Sequence, residues 1–267
     1  MPHLTLVSFD DLLTRTDLIH EPMVCFVSDG AKRTIAGDRS WTTGRGQVFL
    51  NSIHMPVTGV FERTPYRSAT LRLDGQSLTD LLLELDGPVS AEPISQLTTP
   101  MTPELTDAVT RWIRLLDTPA DIPALAPRIE GEILYRLLGT PIGPALRQLT
   151  LTDSPLARVR TTAAWICAHY TERLTIDQIA AVAHMSVATL HRRFKEATGM
   201  SPLRFQKHLR LQEARRRLVA GNTTAALVAD AVGYVSATQF NREYRREYGL
   251  PPAQDAARLR GELAGFP

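Results

Sequence analysis

The sequence contains little cysteine and no long apolar run. Its two cysteines, Cys25 and Cys167, lie far apart in a chain of 267 residues, so they offer no disulfide framework and fit a reducing cytoplasm. No stretch approaches the roughly 20 apolar residues that a transmembrane helix needs. The first residues also lack the basic region and apolar core of a secretory signal. We therefore expect a cytoplasmic protein without a membrane segment.

Motifs for catalysis and metal binding are equally scarce. The chain has no nucleophile elbow, no HExxH pair and no paired-carboxylate site. The segment Gly44-Arg45-Gly46 lacks the strand–helix context of a phosphate loop and predicts a hairpin turn. His20 and His54 stand alone in the N-terminal half, without the clustered partners that a metal site needs. These absences predict that the protein is not an enzyme and carries no metal or other cofactor.

Two stretches of the C-terminal half repeat one pattern about fifty residues apart. The first is Ile179–Ser186 followed by Leu190, Arg192, Phe194, Lys195, Gly199 and Pro202, and the second is Ala231–Ser236 followed by Phe240, Arg242, Tyr244, Arg245, Gly249 and Pro252. Each predicts a short helix, a small-residue turn and a serine-capped second helix, which is a helix-turn-helix. An ordinary helical hairpin with a solvated basic face is the alternative. The register shared by both copies favours a duplicated DNA-reading module.

The charge is divided between the two halves of the chain. From Pro155 onward 17 basic residues stand against 9 acidic ones, a net of +8, whereas the preceding residues carry 13 and 19, a net of −6. This division indicates that the basic half binds a polyanion and that the acidic half stays away from it. With the polar, turn-prone segment at 150–155 as linker, we predict domains at 1–152 and 153–267. The two helix-turn-helix units are expected at about 175–197 and 223–248.

The N-terminal half alternates short apolar runs with turn signals, which predicts a small barrel or sandwich. The expected strands are Met23–Val27, Arg33–Ile35, Trp41–Thr43, Gln47–Leu50, Val57–Phe61 and Ala69–Leu73, and the expected helices are Ser77–Leu85, Pro103–Leu116 and Pro123–Leu138. The apolar stripe of each helix can pack on the barrel or on a second subunit. In the C-terminal half we expect helices at Leu156–Tyr170 and from Pro202 to about Ala220, and a capping box of Thr175 with Gln178.

The repeated motifs resemble the AraC/XylS family of transcription regulators over about 100 residues. The Gly233-Tyr234 pair and Phe205, Arg210, Ala214 and Leu218 extend the resemblance. Asp255-Ala256 stands where the family commonly has an aromatic-basic pair, which predicts a weaker grip on phosphate. The N-terminal part resembles the YqhC-like subgroup, through stretches such as Gly30–Arg33 and Met55–Gly59. The resemblance implies an α+β protein: an N-terminal cupin-like β-barrel with flanking helices, and an all-α domain of two helix-turn-helix units joined by a long helix.

The resemblance also implies which side chains meet DNA. The base-reading positions are Ala188, His191 and Arg192 in the first unit and Ala237, Thr238, Asn241 and Arg242 in the second. Arginine can bind guanine, asparagine can bind adenine, and small methyl groups can touch thymine. Phosphate contacts are assigned to Ser186, Lys195, Ser236 and Arg245. The alternative for the two arginines is a structural ion pair with the nearby Glu196 or Glu243.

The residues that could form a ligand pocket follow from strand alternation and loop position. They are Met23, Cys25, Val27, Trp41 and His54. A pocket thiol at Cys25 could sense an electrophile, and the alternative is a buried small hydrophobe.

These patterns together predict a sequence-specific transcription regulator controlled by an unidentified small molecule in the barrel. The expected partners are double-stranded DNA, a second copy of the chain and RNA polymerase. Two alternatives stay open: a cupin-type enzyme with an accessory DNA-binding domain, and a regulator whose barrel is only a dimerisation scaffold.

Overall fold

The computed structural model describes residues 1–11, 15–85, 97–221 and 223–264. The chain forms two compact units. One consists of Met1–Thr161 with Ala197–Gly199, and the other of Thr162–Glu196 with Met200–Pro267.

The first unit contains one antiparallel sheet of seven strands. They are β1 (Leu4–Phe9), β2 (Thr16–His20), β3 (Met23–Ala36), β4 (Arg39–Gly44), β5 (Gln47–Asn51), β6 (Met55–Arg72) and β7 (Thr98–Pro100). The main path runs β1-β6-β3-β5-β7, while β2 pairs with β6 and β4 with β3. Across the described residues, no strand pairing joins the two ends of this path. The expected closed barrel is therefore an open sheet in its hydrogen bonding.

Two long strands organise this sheet. The segments expected as separate strands at Met23–Val27 and Arg33–Ile35 are joined into β3, and those at Val57–Phe61 and Ala69–Leu73 into β6. Their pairing is interrupted by register shifts between Val27 and Lys32. Such bulges bend a strand and increase its twist, so one strand can serve two regions of the sheet. The strands β1, β2 and β7 were not expected from the sequence.

Alternation along β3 places its side chains in two different cores. Val24 and Phe26 pack with the helices of this unit, whereas Met23, Cys25 and Val27 pack with Phe49, Phe61 and Tyr66. The opposite facing of these two sets, expected from period-two alternation, is confirmed. We call the second set, Met23, Cys25, Val27, Phe49, Phe61 and Tyr66, the inner cluster.

The helices of the first unit cover the other face of the sheet. They are α1 (Gly75–Glu84), α2 (Pro103–Arg114), α3 (Ile122–Leu138) and α4 (Gly143–Arg147), with two short 3-10 turns at Leu115–Asp117 and Pro119–Asp121. Buried Leu105, Trp112, Ile133 and Leu137 supply the helical side of this core. The helices expected from their apolar stripes are confirmed, with α2 ending in a 3-10 turn rather than continuing to Leu116.

The second unit is helical throughout its described residues. Its helices are α5 (Pro155–Ala168, whose first seven residues lie in the first unit), α6 (Ile176–Val182), α7 (Val187–Thr198, whose last two lie there too), α8 (Pro202–Ala220), α9 (Ala225–Ala231), α10 (Ala237–Tyr248) and α11 (Pro252–Ala264). The capping box of Thr175 and Gln178 is confirmed, as is the long helix from Pro202 to Ala220. The sequence predicts that Gly221-Asn222 ends this helix, and Asn222 lies outside the described residues.

Candidate nucleic-acid interface and inner cavity

Each helix-turn-helix unit turns through a residue with left-handed backbone, and the turn is one residue longer in the second copy. His184, two residues before Ser186, has a φ of +49°, and Gly233, three residues before Ser236, has a φ of +85°. Glycine is required only in the second copy, because a Cβ at Gly233 would lie 1.9 Å from the carbonyl oxygen of Thr171. Each left-handed residue stands two positions after the end of its first helix, Val182 in one copy and Ala231 in the other, which supports a duplicated module.

Serine caps begin the second helix of each unit. The Ser186 hydroxyl accepts a hydrogen bond from the Thr189 backbone N–H at 3.3 Å, and the Ser236 hydroxyl accepts one from Gln239 at 3.3 Å. Both caps were expected, and each satisfies a donor that the helix cannot satisfy itself.

One face of each second helix is buried and the opposite face is exposed. Leu190 and Phe194 of α7 and Phe240 and Tyr244 of α10 are fully buried. All eleven residues expected to meet DNA are exposed: Ala188, His191, Arg192, Ala237, Thr238, Asn241, Arg242, Ser186, Lys195, Ser236 and Arg245. The structure therefore brings these side chains onto accessible helix faces in both units.

A surface groove runs beside α10. It is lined by Ala225, Asn241, Arg242, Arg245, Arg246, Pro251, Pro252 and Ala253. Three guanidinium groups with no acidic side chain among the lining residues make the groove strongly basic. The N-terminus of α11 begins in its wall, and helix N-termini favour phosphate. Arg246 was missed by sequence reasoning, because its position is not one of the repeated ones.

The ion-pair alternative applies to only one of the two base-reading arginines. Arg192 lies 3.7 Å from Glu196, and both side chains are about half exposed, so the pair is worth about 0–1 kcal/mol. Glu243 instead accepts hydrogen bonds from the Tyr234 hydroxyl at 3.0 Å and the Gln239 amide at 3.2 Å. Within the described part of the chain, Arg242 forms no salt bridge. Neither arginine is held by a strong internal partner.

A buried carboxylate, Asp255, stabilises the packing of the second unit's helices. Asp255 has no exposed side-chain surface and accepts hydrogen bonds from Arg215 at 2.8 and 3.2 Å, from Tyr244 at 2.9 Å and from Arg258 at 2.9 Å. Burial alone would raise the pKa of this carboxyl, but its hydrogen bonds and the Arg215 charge hold that pKa below its usual range. Asp255 thus locks α8, α10 and α11 together. The side chain points inward, so Asp255 itself does not meet phosphate, and the weaker phosphate grip expected from the missing aromatic-basic pair stays a prediction.

The end of α5 is fixed to the long helix by backbone contacts. Gln206 donates to the carbonyl oxygens of Tyr170 and Glu172 at 3.0 and 2.7 Å, and Arg210 donates to the same two at 2.6 and 2.7 Å. These carbonyl groups belong to the turn that follows α5, so the bonds fix that turn against α8. They also fix where α6 begins, and hence the position of the turn in the first helix-turn-helix.

The first unit contains a cavity of about 340 Å³ beside the inner cluster. Of the expected pocket residues, Met23 and Cys25 line it. Val27 and Trp41 pack in and against the inner cluster without lining the cavity, and the partly exposed His54 lies in neither group. The Cys25 sulfur lies 3.8 Å from the Tyr66 hydroxyl oxygen.

Sequence reasoning missed the polar groups that line this cavity, which include His20, Lys32 and Tyr66 as well as Glu21 and Arg72. His20 is buried, its Nδ1 has no hydrogen-bond partner, and burial together with the charge of Lys32 lowers its pKa to about 3. Burial also lowers the pKa of Lys32, and it raises the pKa of Tyr66. Strand alternation did not predict Lys32 as a pocket residue, because the bulges in β3 break the alternation from which Met23 and Cys25 were predicted. One signal was available: Lys32 is the only lysine before Lys195.

The described residues contain no group of three or more His, Cys, Asp or Glu side chains arranged to hold a metal ion. Within the same residues, no helix is both long and apolar enough to cross a bilayer.

Comparison with known families matches both units. The model of the AraC-type transcriptional regulator N-terminus matches residues 1–145, and a helix-turn-helix domain model matches residues 179–258. This chain belongs to the AraC family of transcriptional regulators.

Curated relatives match half of this chain or less. YobQ of Bacillus subtilis, an uncharacterised helix-turn-helix regulator, is 38% identical over 89 residues, 33% of this chain and 37% of its own. The transcriptional activator RhaS of Escherichia coli is 30% identical over 132 residues, 49% of this chain and 46% of its own. The matched part of this chain therefore spans less than half the length of either relative.

The whole fold is shared with a solved structure. An apo variant of ToxT from Vibrio cholerae superposes with a TM-score of 0.61 over 95% of this chain and 96% of that one, at 9% sequence identity. At that identity the likeness concerns the fold.

Proposed function

We propose that this protein regulates transcription by binding double-stranded DNA sequence-specifically through both helix-turn-helix units, under the control of a small molecule. The observation that carries the DNA part is the exposed polar face of α7 and α10, which repeats in both copies. The net charge of +8 from Pro155 onward supports it, because counterion release from phosphates drives such binding. Family membership favours the same function.

Within this proposal, exposed side chains divide into base readers and phosphate contacts. Arg192, Asn241 and Arg242 carry the bidentate groups that distinguish guanine and adenine in the major groove. Lys195 and Arg245 carry positive charges suited to phosphate. Arg246 and the N-terminus of α11 extend the phosphate-binding surface along the groove.

The small-molecule part rests on the inner cavity. A cavity of about 340 Å³ lies within the size range of ligand sites, and it combines apolar walls with a few polar groups. A solved ToxT structure is described as bound to an unsaturated fatty acid, which shows that this fold can hold a ligand in one protein. The cavity favours sensing over the scaffold alternative. A cupin-like arrangement of the curved sheet and membership of the YqhC-like subgroup stay predictions.

Dimerisation and contact with RNA polymerase belong to the same proposal. On α3, Leu125 and Tyr135 are 41% and 55% exposed, which supports a role for this helix in self-association. The domain boundary at 152/153 also stays a proposal. Arg160 on α5 donates to the carbonyl oxygens of Gln148 and Leu149, both at 2.9 Å, so a fragment that begins at Pro155 loses these contacts.

The test of DNA binding compares two substitutions on one helix. Arg192→Ala should cost roughly 1–3 kcal/mol of binding free energy and relax base preference at one position. Lys195→Ala should weaken binding to all sequences and lower the salt slope by about one. Both are measured by titrating labelled duplexes at several salt concentrations. If both variants bind a selected site as the wild type does, the assigned face of α7 is wrong.

A further inference from the structure

Lysine is used in this chain at very few places. Of 30 basic residues, only Lys32, Lys195 and Lys207 are lysines, and every other basic residue before Pro155 is arginine. Arginine cannot lose its charge in a protein, whereas lysine can when it is buried. The single lysine of the first unit therefore occupies a position where a neutral amine is possible.

The fold turns Lys32 toward the cavity. Three register shifts between Val27 and Lys32 interrupt the pairing of β3 with β6, and Lys32 lines the same cavity as Met23 and Cys25. Its stem lies against Gly59, where a Cβ would come within 2.8 Å of Lys32 Cε. Its amine nitrogen lies 5.7 Å from the ring centre of Phe61. The amine thus sits beside an aromatic wall.

Burial disfavours the charged form of this amine, while the Phe61 ring at 5.7 Å favours it. Lys32 forms no salt bridge with any described residue, including Glu21, which also lines the cavity. The neighbouring His20 is buried and keeps an unpartnered Nδ1. Burial lowers the pKa of Lys32, and the opposing effect of Cys25 is smaller. A neutral amine has the lone pair that a protonated amine lacks, and this makes it a nucleophile.

We propose that the inner cavity binds a small apolar aldehyde and that the amine of Lys32 joins it as an imine. This inference rests on the proposed control by a small molecule and names the ligand's chemical class. The cavity suits a small ligand, because its volume is near the lower end of the usual range. Its walls include the apolar Val7, Leu18 and Phe61.

The chemical step needs no oxidant or further co-reactant. The Lys32 nitrogen lone pair forms a bond to the carbonyl carbon, and the carbon–oxygen π electrons move to oxygen. The two protons of the amine end on that oxygen, which leaves as water when the carbon–nitrogen double bond forms. Tyr66 lines the same cavity, and burial raises the pKa of its hydroxyl, so this group stays protonated and can relay a proton.

The experiment uses the full chain and benzaldehyde as the probe. The protein is treated with benzaldehyde, reduced with cyanoborohydride to fix any imine, and analysed by peptide mass spectrometry. We expect the adduct at Lys32 to exceed several-fold the adduct at Lys195 or Lys207, which serve as references in the same molecule. The matched variant Lys32→Arg keeps a long basic side chain but should lose the adduct, while labelling of the other two lysines is unchanged.

Three outcomes would overturn the proposal. One is equal labelling of the three lysines in the wild type, a comparison that does not depend on whether a variant folds. The second is a Lys32 adduct that disappears when Cys25 is replaced by serine, which would make the thiol the group that first attacks the aldehyde. The third is that benzoate binds in the cavity while benzaldehyde forms no adduct, which would make the cavity a carboxylate site. DNA affinity is measured separately without aldehyde, so a failure of the DNA-binding proposal is distinguishable from a failure of imine formation.

Discussion

Replacing Asp255 by alanine removes the acceptor shared by Arg215, Tyr244 and Arg258. Arg215 has only 11% of its side chain exposed, so its charge is left largely buried without this partner. Breaking a buried pair by removing one member costs about 3–5 kcal/mol. Because tenfold in an equilibrium constant corresponds to about 1.4 kcal/mol, local opening should increase by roughly two to three and a half orders of magnitude. We expect this loss of local stability in the second helix-turn-helix.

The assay is hydrogen exchange of peptides from residues 223–264, together with urea unfolding. Arg258→Ala is the matched control, because Arg258 is 39% exposed and its pairs with Asp255 and Glu262 should be worth about 0–1 kcal/mol each. A double variant, Asp255→Leu with Arg215→Met, removes both charges and should lose less stability than Asp255→Ala, since apolar replacement of a buried pair often costs little. It should still be less stable than the wild type, because the buried Tyr244 hydroxyl loses this acceptor.

The pH dependence gives an independent readout of the same anchor. Because the folded-state pKa of Asp255 is lowered, its stabilising contribution is fully present above the ordinary carboxyl pKa and is lost as pH falls through the folded value. Asp255→Ala should therefore flatten the acid side of the stability profile. If Asp255→Ala destabilises the second unit no more than Arg258→Ala does, the argument for a buried anchor fails.

Two further predictions concern the backbone turn and the buried histidine. Gly233→Ala should destabilise the second unit more than Gly249→Ala in thermal unfolding, because both have a φ near +80° but only Gly233 lies against Thr171; equal losses would contradict this packing. His20 has a pKa of about 3 when folded against 6.5 ordinarily, so the unfolded state binds more protons between these values. The free energy of unfolding should then fall by about 1.4 kcal/mol per pH unit as pH drops from 6.5 toward 3. The variant His20→Gln should remove this slope; an unchanged slope in the variant would show that His20 does not cause it.

The helix-turn-helix units could be predicted because their information is local. Caps at Ser186 and Ser236, and apolar pairs such as Phe240 with Tyr244, have fixed spacings within one helix. Two copies in register then reinforce each other. The exposed faces follow from the same periodicity, which is why all the expected DNA-facing residues are accessible.

The cavity and the anchor could not be read from the sequence because they depend on distant residues. Lys32 reaches the cavity through bulges that depend on pairing with β6, and these leave no period in the sequence. Asp255 meets Arg215 across 40 residues, so its burial is invisible to local patterning. The strands β1 and β2 lie before the region with clear turn signals, and their role becomes evident only from pairing with β6.

Selection of binding sites from random duplex DNA tests the central claim most directly. Two helix-turn-helix units predict that the wild type enriches a site with two separate blocks of base preference. Asn241→Ala should abolish a preference for adenine at one position of one block and leave the other block unchanged. Arg245→Ala should lower recovery without changing either block. Enrichment of no sequence by the wild type, or an Asn241→Ala profile identical to the wild type's, would contradict the account.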